Sequence, residues 1–201
     1  MKKIIRAFSQ SAAEFKDLRS VIVTGLLIAL SMVIESFTIN LGFAKINFAF
    51  LAIAAIGMLY GPTVSLFAGG ICDILGYLVA PEGAFFPMYT LIGMAQGLIY
   101  GLIAYRRLCT KPVSNPYRNS EMMIRIIAAR VVDVLVINLI CNTAANFHYG
   151  FLSDRTLGAA IAARVAKNVI ELPFDIILIA AILPAVLAAY EQVFKKQRIS
   201  A

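Results

Sequence analysis

From Val21 to Tyr190 the chain is a succession of apolar runs, most near one bilayer crossing in length, broken by short polar stretches. That pattern admits few folds, because about 20 consecutive apolar residues form a helix that spans a membrane. The runs are Val21 to Phe37, Ile46 to Tyr60, Thr63 to Val79, Phe85 to Tyr105, Met123 to Ala145 and Ala159 to Tyr190. Hydrophobic residues make up 61% and charged residues only 14%, against about 25% charged in a soluble domain. So little polar surface cannot cover such a core in water, and in lipid it does not need to. The expected fold is an all-α integral membrane protein with six transmembrane helices and both termini cytoplasmic, a single transmembrane domain over residues 1–201.

The net charge of +7 is arranged for topology rather than for nucleic acid. Lys2, Lys3, Arg6, Lys16 and Arg19 precede the first run, Arg106, Arg107, Lys111, Arg118 and Arg125 surround the mid-chain break, and Lys195, Lys196 and Arg198 follow the last run. Basic residues mark the cytoplasmic side. This side takes residues 1–20, as a short amphipathic segment, and the loop 106–120. The outer turns then fall at Thr38 to Gly42, at Pro81-Glu82-Gly83 and at Asn146 to Thr156, while Gly61-Pro62 turns the chain on the inner side. The last run exceeds one crossing and is expected to tilt or reach into water, bent at Pro173 and Pro184. Cys72, Cys109 and Cys141 are too scattered for a disulfide framework or a zinc site. The first run lacks a cleavage pattern after Glu35 and reads as a retained helix.

Lipid tails are as apolar as leucine, so helices in a membrane associate through close backbone approach at small residues. Gly93, Gly97 and Gly101 recur every fourth residue and predict an internal packing face. Gly25 and Ala29 form a similar pair, suited either to internal packing or to docking of another membrane protein. Ionisable residues at membrane depth are costly and so are candidate functional groups. Asp73 lies mid-span. Arg164, Lys167, Glu171 and Asp175 share one helical face, where Lys167 and Glu171 can neutralise each other and Arg164 with Lys167 suits an anionic ligand. Arg130 and Asp133 are expected to form a structural ion pair. Asn138, Asn142 and Asn146 make a polar stripe, either interhelical glue or ligand contacts. Phe43, Phe48, Phe50, Phe85, Phe86 and Tyr89 flank the outer turns as interfacial anchors or as a bed for a flat heteroaromatic anion.

No phosphate-binding loop, nucleophile motif or metal-ligand cluster is present, and His148 stands alone in the sequence. Nothing calls for a cofactor, and an enzyme is not expected. The runs FAFLAIAAIGMLYGP (48–62) and GICDILGYLVAPEG (70–83) carry a pattern continued by Phe86-Pro87, Gly97 to Gly101, Asn142-Thr143 and Arg164 to Asn168 with Leu172-Pro173. In these the chain resembles the substrate-binding S components of energy-coupling factor vitamin transporters, most closely the folate-specific branch, along nearly its whole length. Lys45-Ile-Asn47 departs from that branch, which has arginine and glycine there.

The resemblance implies a pocket closed by outer loops, a membrane coupling subunit, and two cytoplasmic ATPase subunits as partners, with the pair Gly25 and Ala29 as the docking face for coupling helices. It implies a vitamin ligand, most closely folate, for Phe43, Lys45, Asn47, Phe48, Asp73, Phe85, Phe86, Tyr89, Asn142, Asn146, Arg164 and Lys167. Asp73 can accept the paired N–H groups of a pterin, and Lys45, Arg164 and Lys167 can meet a glutamate tail. The rivals are an S component for another small vitamin or base, an ion-coupled carrier using the charges of the last span, and a small intramembrane enzyme.

Overall fold

The computed structural model describes residues 2–37, 39–40, 45–79, 84–109, 119–151 and 157–199, with side chains except at 2, 39–40, 45–46, 157, 160 and 194–199. The helices are α1 (Lys2–Ala13), α2 (Leu18–Ser36), α3 (Phe50–Tyr60), α4 (Pro62–Val79), α5 (Pro87–Ile103), α6 (Ser120–Asp133), α7 (Asn142–His148) and α8 (Leu157–Ile199). A π-helical segment, Val134–Cys141, joins α6 to α7. Between α2 and α3 a small hairpin, β1 (Ile39–Asn40) and β2 (Lys45–Ile46), pairs Ile39 with Ile46 and Asn40 with Lys45. Among the described residues the regular structure is otherwise all helical. Four stretches among the described residues, Leu18–Ser36, Pro62–Val79, Pro87–Leu108 and Ile161–Val193, are long and apolar enough to cross a membrane.

The bundle is built round α3. All eleven of its residues are buried, as an all-apolar helix demands, and Ile56 and Leu59 pack with Val64, Tyr100, Ile126, Leu183 and Leu187 of its neighbours. Eleven residues rise only about 17 Å, little more than half of a hydrocarbon core of about 30 Å. The bundle centre beyond the α3 N-terminus therefore needs some other filling. At its other end α3 turns into α4 through Gly61 at φ +84°, where a Cβ would lie 2.9 Å from the Tyr105 ring.

The glycine face on α5 does pack inside the molecule. A Cβ on Gly97 would fall 1.9 Å from the Ser65 carbonyl oxygen, and one on Gly69 would fall 2.1 Å from that of Gly93. The Ser65 hydroxyl donates to the Gly97 carbonyl at 2.7 Å, tying α4 to α5 where their backbones touch. Gly25, by contrast, has no atom within 4 Å of the corresponding position.

Arg106 and Arg107 lie at one end of the bundle, beside α1. The Arg106 guanidinium lies 4.7 Å from the Tyr190 ring centre, and its Nε donates to the Leu59 carbonyl. Arg107 pairs with Glu14, and Ser11 of α1 accepts hydrogen bonds from the backbone N–H groups of Thr63 and Val64.

Several expected boundaries are corrected. The helix of the second expected span starts at Phe50, not Ile46, because Ile46 belongs to the hairpin and the Asn47 side chain accepts the Ala49 N–H at 2.6 Å, a local bond that competes with helix. The fourth span starts at Pro87, whose missing N–H suits a first helical turn. The fifth begins at Ser120, since Asn119 accepts the Met122 N–H, and continues to His148, so Asn146 and His148 are helical rather than in a loop. The last helix runs 43 residues through both Pro173 and Pro184, about 65 Å of helix.

Candidate functional site

A cavity of about 290 Å³ occupies the bundle centre beyond the α3 N-terminus, lined there by Ala49, Phe50 and Ile53. Its other walls come from the C-terminal half of α2, the middle of α4, the N-terminal half of α5, the α6–α7 rod and the N-terminal half of α8. It lies toward the bundle end away from Arg106, Tyr190 and the α3–α4 turn. The short central helix and the hollow are one feature: where α3 stops, the surrounding helices face each other across space.

The cavity brings together Asn47, Asp73, Tyr89, Asn142 and Lys167 from the sequence-predicted set. Thr90 donates to the Asp73 carboxylate at 2.6 Å and orients it on the wall. Tyr89 donates to the Asn146 side-chain oxygen at 2.5 Å, and the Asn142 amide approaches that of Asn138 at 3.4 Å. Lys167 lies 3.4 Å from Glu171, the expected neutralising pair, and both line the hollow.

Other members of the set stand back from it. Arg164 is not on the lining; it donates to the Asn138 and Asn142 carbonyls at 3.1 and 3.5 Å and fastens α8 to the π segment. Phe48 packs against the main core, and Phe85 is 41% exposed, tilted against Tyr77. The Phe86 ring lies tilted with its centre 4.3 Å from that of Tyr149, with Phe151 and Tyr89 also around it, so an aromatic cluster adjoins the cavity at Tyr89. Phe43 and the Lys45 side chain lie outside the described residues.

Beneath the hollow is a buried ionic cluster. Arg130 donates to Asp133 at 2.7 Å and to Asp175 at 2.6 Å, and its guanidinium lies 3.7 Å from the Phe50 ring centre. Gln96 and Tyr100 add bonds to the same Asp133 oxygen at 3.2 Å each. The expected ion pair is thus present, with Asp175 as a third member, and Arg130 and Gln96 reach the cavity wall.

The profile of the family described as ECF-type riboflavin transporter, S component, matches residues 16–190. The chain belongs to that family. It is therefore a transporter component and multi-pass membrane protein, not an enzyme. Its relatives include the folate transporter FolT of Clostridium novyi, 28% identical over 166 residues, which are 82% of this chain and 87% of that one. FolT of Leuconostoc mesenteroides is 32% identical over 90 residues, 45% of this chain and 49% of that one. FolT of Streptococcus mutans is 27% identical over 136 residues, 67% and 68% of the two chains. A crystal structure of FolT bound with folic acid superposes at TM-score 0.64 with 27% identity, covering 81% of this S component and 90% of that chain.

The sequence-predicted site set omitted Arg130, Gln96, Asn138 and Glu171, which line the cavity of this S component; Asn138 was named only within the asparagine stripe and Glu171 only as the partner of Lys167. For Arg130 the signal was there, a cation four residues before Val134 in an apolar rod, but its acidic neighbours made a purely structural pair the simpler account. Gln96 left a fainter one, a lone amide between Gly93 and Gly97 at membrane depth. Tyr149 and Phe151 were missed because rings in the stretch Asn146 to Thr156 carry no more signal than any interfacial aromatic.

Proposed function

We propose that this S component captures a folate from outside the cell and serves as the substrate-binding subunit of an ATP-driven energy-coupling factor importer in a prokaryotic plasma membrane. On this reading α2, α3, α4, α5, the α6–α7 rod and α8 are the six crossings. Residues 1–20, 106–120 and the end of α8 are cytoplasmic, and the whole chain acts as one substrate-binding domain. The observation that carries the proposal is a polar hollow at the end away from the basic flank, in a chain whose relatives are named folate transporters. At about 290 Å³ the hollow is at the small end of ligand pockets, which suits a heteroaromatic head inside and a charged tail at the mouth. Asp73, held by Thr90, offers a carboxylate to a pterin's adjacent N–H groups. Asn47, Asn142 and Asn146 supply amides, and Phe43, Phe48, Phe85, Phe86 and Tyr89 supply rings for the flat part. Lys167, Arg164 and Lys45 are assigned to the tail carboxylates.

Gly25 and Ala29 are both exposed on α2, and we assign them as the face on which a membrane coupling subunit docks, bringing two cytoplasmic ATPase subunits. Uptake into vesicles that lack any ATPase would instead favour an ion-coupled carrier.

Mass spectrometry of the ligand retained by the purified protein tests the substrate directly. A folate is the expected mass; a flavin, as the family's description suggests, would overturn the folate assignment. Asp73→Asn and Arg164→Ala are each expected to weaken folate binding by about 1–3 kcal/mol, roughly five- to hundredfold. Unchanged affinity in both would sink the proposed pocket.

A further inference from the structure

We infer that α1 is an in-plane interfacial helix, a docking surface for anionic lipid headgroups at the basic end of the bundle. At 100° per residue its sequence divides cleanly: Ala7, Ser11, Ile4, Phe8, Ala12 and Ile5 fall on one arc, and Lys2, Lys3, Arg6 and Gln10 on the other. Only one edge of the apolar arc is used by the protein. Ala7 and Ser11 are buried at 1% and 0% exposure. Ser11 accepts the Thr63 and Val64 N–H groups at 2.9 and 3.1 Å, and Thr63 donates its hydroxyl to the Phe8 carbonyl at 3.0 Å. These bonds cap the start of α4 from outside and fix α1 against the bundle end. Asp17, in extended backbone, breaks the chain between α1 and α2, so α1 is not the first turns of a spanning helix.

The other edge of the arc is bare. Ile4 and Ile5 are 52% and 68% exposed, and on either side of the break Phe15 and Leu18 are 46% and 71% exposed. Exposed apolar side chains beside Lys3, Arg6, Lys16 and Arg19, on a helix anchored at the end of a membrane bundle, match an interfacial helix. Its apolar side enters the acyl boundary and its cations meet headgroups. The cations select the lipid. A basic residue near an anionic leaflet is held by charge attraction, which a zwitterionic surface does not offer. A helix with these bonds to α4 thus ties the seating of the bundle end to the charge of the leaflet.

The chain contains no tryptophan, so Ile5→Trp gives the full-length protein a single indole. In bilayers of acyl-brominated phosphatidylcholine that indole is expected to be strongly quenched, and aqueous iodide is expected to have little effect. With the bromines on phosphatidylglycerol at the same mole fraction, diluted in plain phosphatidylcholine, quenching should be severalfold stronger. Adding Lys3→Gln and Arg6→Gln should abolish that excess and leave the phosphatidylcholine quenching in place. Iodide quenching with no bromine quenching would make α1 a solvated or partner-facing helix and overturn the inference. Equal quenching by the two brominated lipids would overturn the anionic selectivity. Retained ligand should be the same in all variants, since none of these residues lines the cavity.

Discussion

The two sides of the cavity solve one problem by different physics. On one side α4 and α5 are joined by a seam of glycines, with backbone resting on backbone at Gly69 and Gly93 and at Ser65 and Gly97. On the other, the α6–α7 rod and α8 are joined by charge: Arg130 of α6 with Asp175 of α8, and Arg164 of α8 with the carbonyls of Asn138 in the π segment and Asn142 at the start of α7. Burial of apolar surface cannot hold helices together in lipid, so either close contact or polar pairing must. A glycine seam has no long side chains to offer a ligand. A polar seam does, and its long polar side chains, Arg130, Asn138, Asn142, Lys167 and Glu171, are among those that reach the hollow. The glycine seam holds the frame, and Asp73 and Tyr89 beside it share the hollow with the charged side.

The sharpest break is expected at Arg130. It is 6% exposed by side chain, and its removal leaves Asp133 and Asp175 buried without their counter-charge. Arg130→Ala should cost about 3–5 kcal/mol, the range for breaking a buried pair from one side. Thermal unfolding in detergent measures it. The triple change Arg130→Met, Asp133→Leu and Asp175→Leu should recover most of that loss, because the cost lies in the stranded charges. If the triple is no better than the single, the cluster contributes more than its own neutralisation.

Next comes the seam itself. Gly97→Ala places a methyl 1.9 Å from the Ser65 carbonyl oxygen, a backbone atom that moves only if α4 moves. About 1–3 kcal/mol of overpacking is expected, again from thermal unfolding. A methyl that costs nothing there would show that the two helices are not in backbone contact.

This seam was legible in the sequence, since a four-residue glycine repeat has one dominant use in a membrane helix. The apolar runs were legible for the same kind of reason: hydropathy is averaged over many residues and tolerates local detail. What could not be read depended on single bonds. The Asn47 side chain capturing the Ala49 N–H decides where α3 starts, and so where the hollow begins. A π segment has no hydropathy signature, yet it sets which of Asn138, Asn142 and Asn146 face the hollow; the first two line it and Asn146 meets Tyr89 instead. Spacing puts Arg164 on the face of Lys167, and spacing cannot report that its guanidinium also bonds the Asn138 carbonyl.

A smaller stability effect, with a large effect on binding, is expected at Lys167. Its pair with Glu171 is 3.4 Å long, with the lysine side chain 32% and the glutamate side chain 11% exposed; because both line the open hollow, the pair is expected to contribute about 1 kcal/mol, well below the enclosed Arg130 cluster. Lys167→Met should therefore change unfolding little and weaken folate binding about tenfold or more, read by titration calorimetry. Arg130 is a strut that touches the hollow; Lys167 faces it. A variant that unfolds as readily as Arg130→Ala would erase that distinction and make the whole charged side structural.

The least effect on the isolated protein is expected at Gly25, where the same small-residue spacing as on α5 has no neighbour. Because nothing occupies the space and the residue is helical, Gly25→Ala should leave stability unchanged or raise it by about 0.5–1 kcal/mol through lost backbone entropy in the unfolded chain. Even Gly25→Leu should fold and retain ligand. Its cost should appear only when the protein is purified with a coupling subunit and ATPases, because a leucine holds apart two helices that a glycine lets meet. Normal co-purification of Gly25→Leu would remove this face from the docking surface. A destabilised Gly25→Ala would mean that α2 packs within the bundle, leaving both small-residue faces internal and the coupling partner to be sought elsewhere.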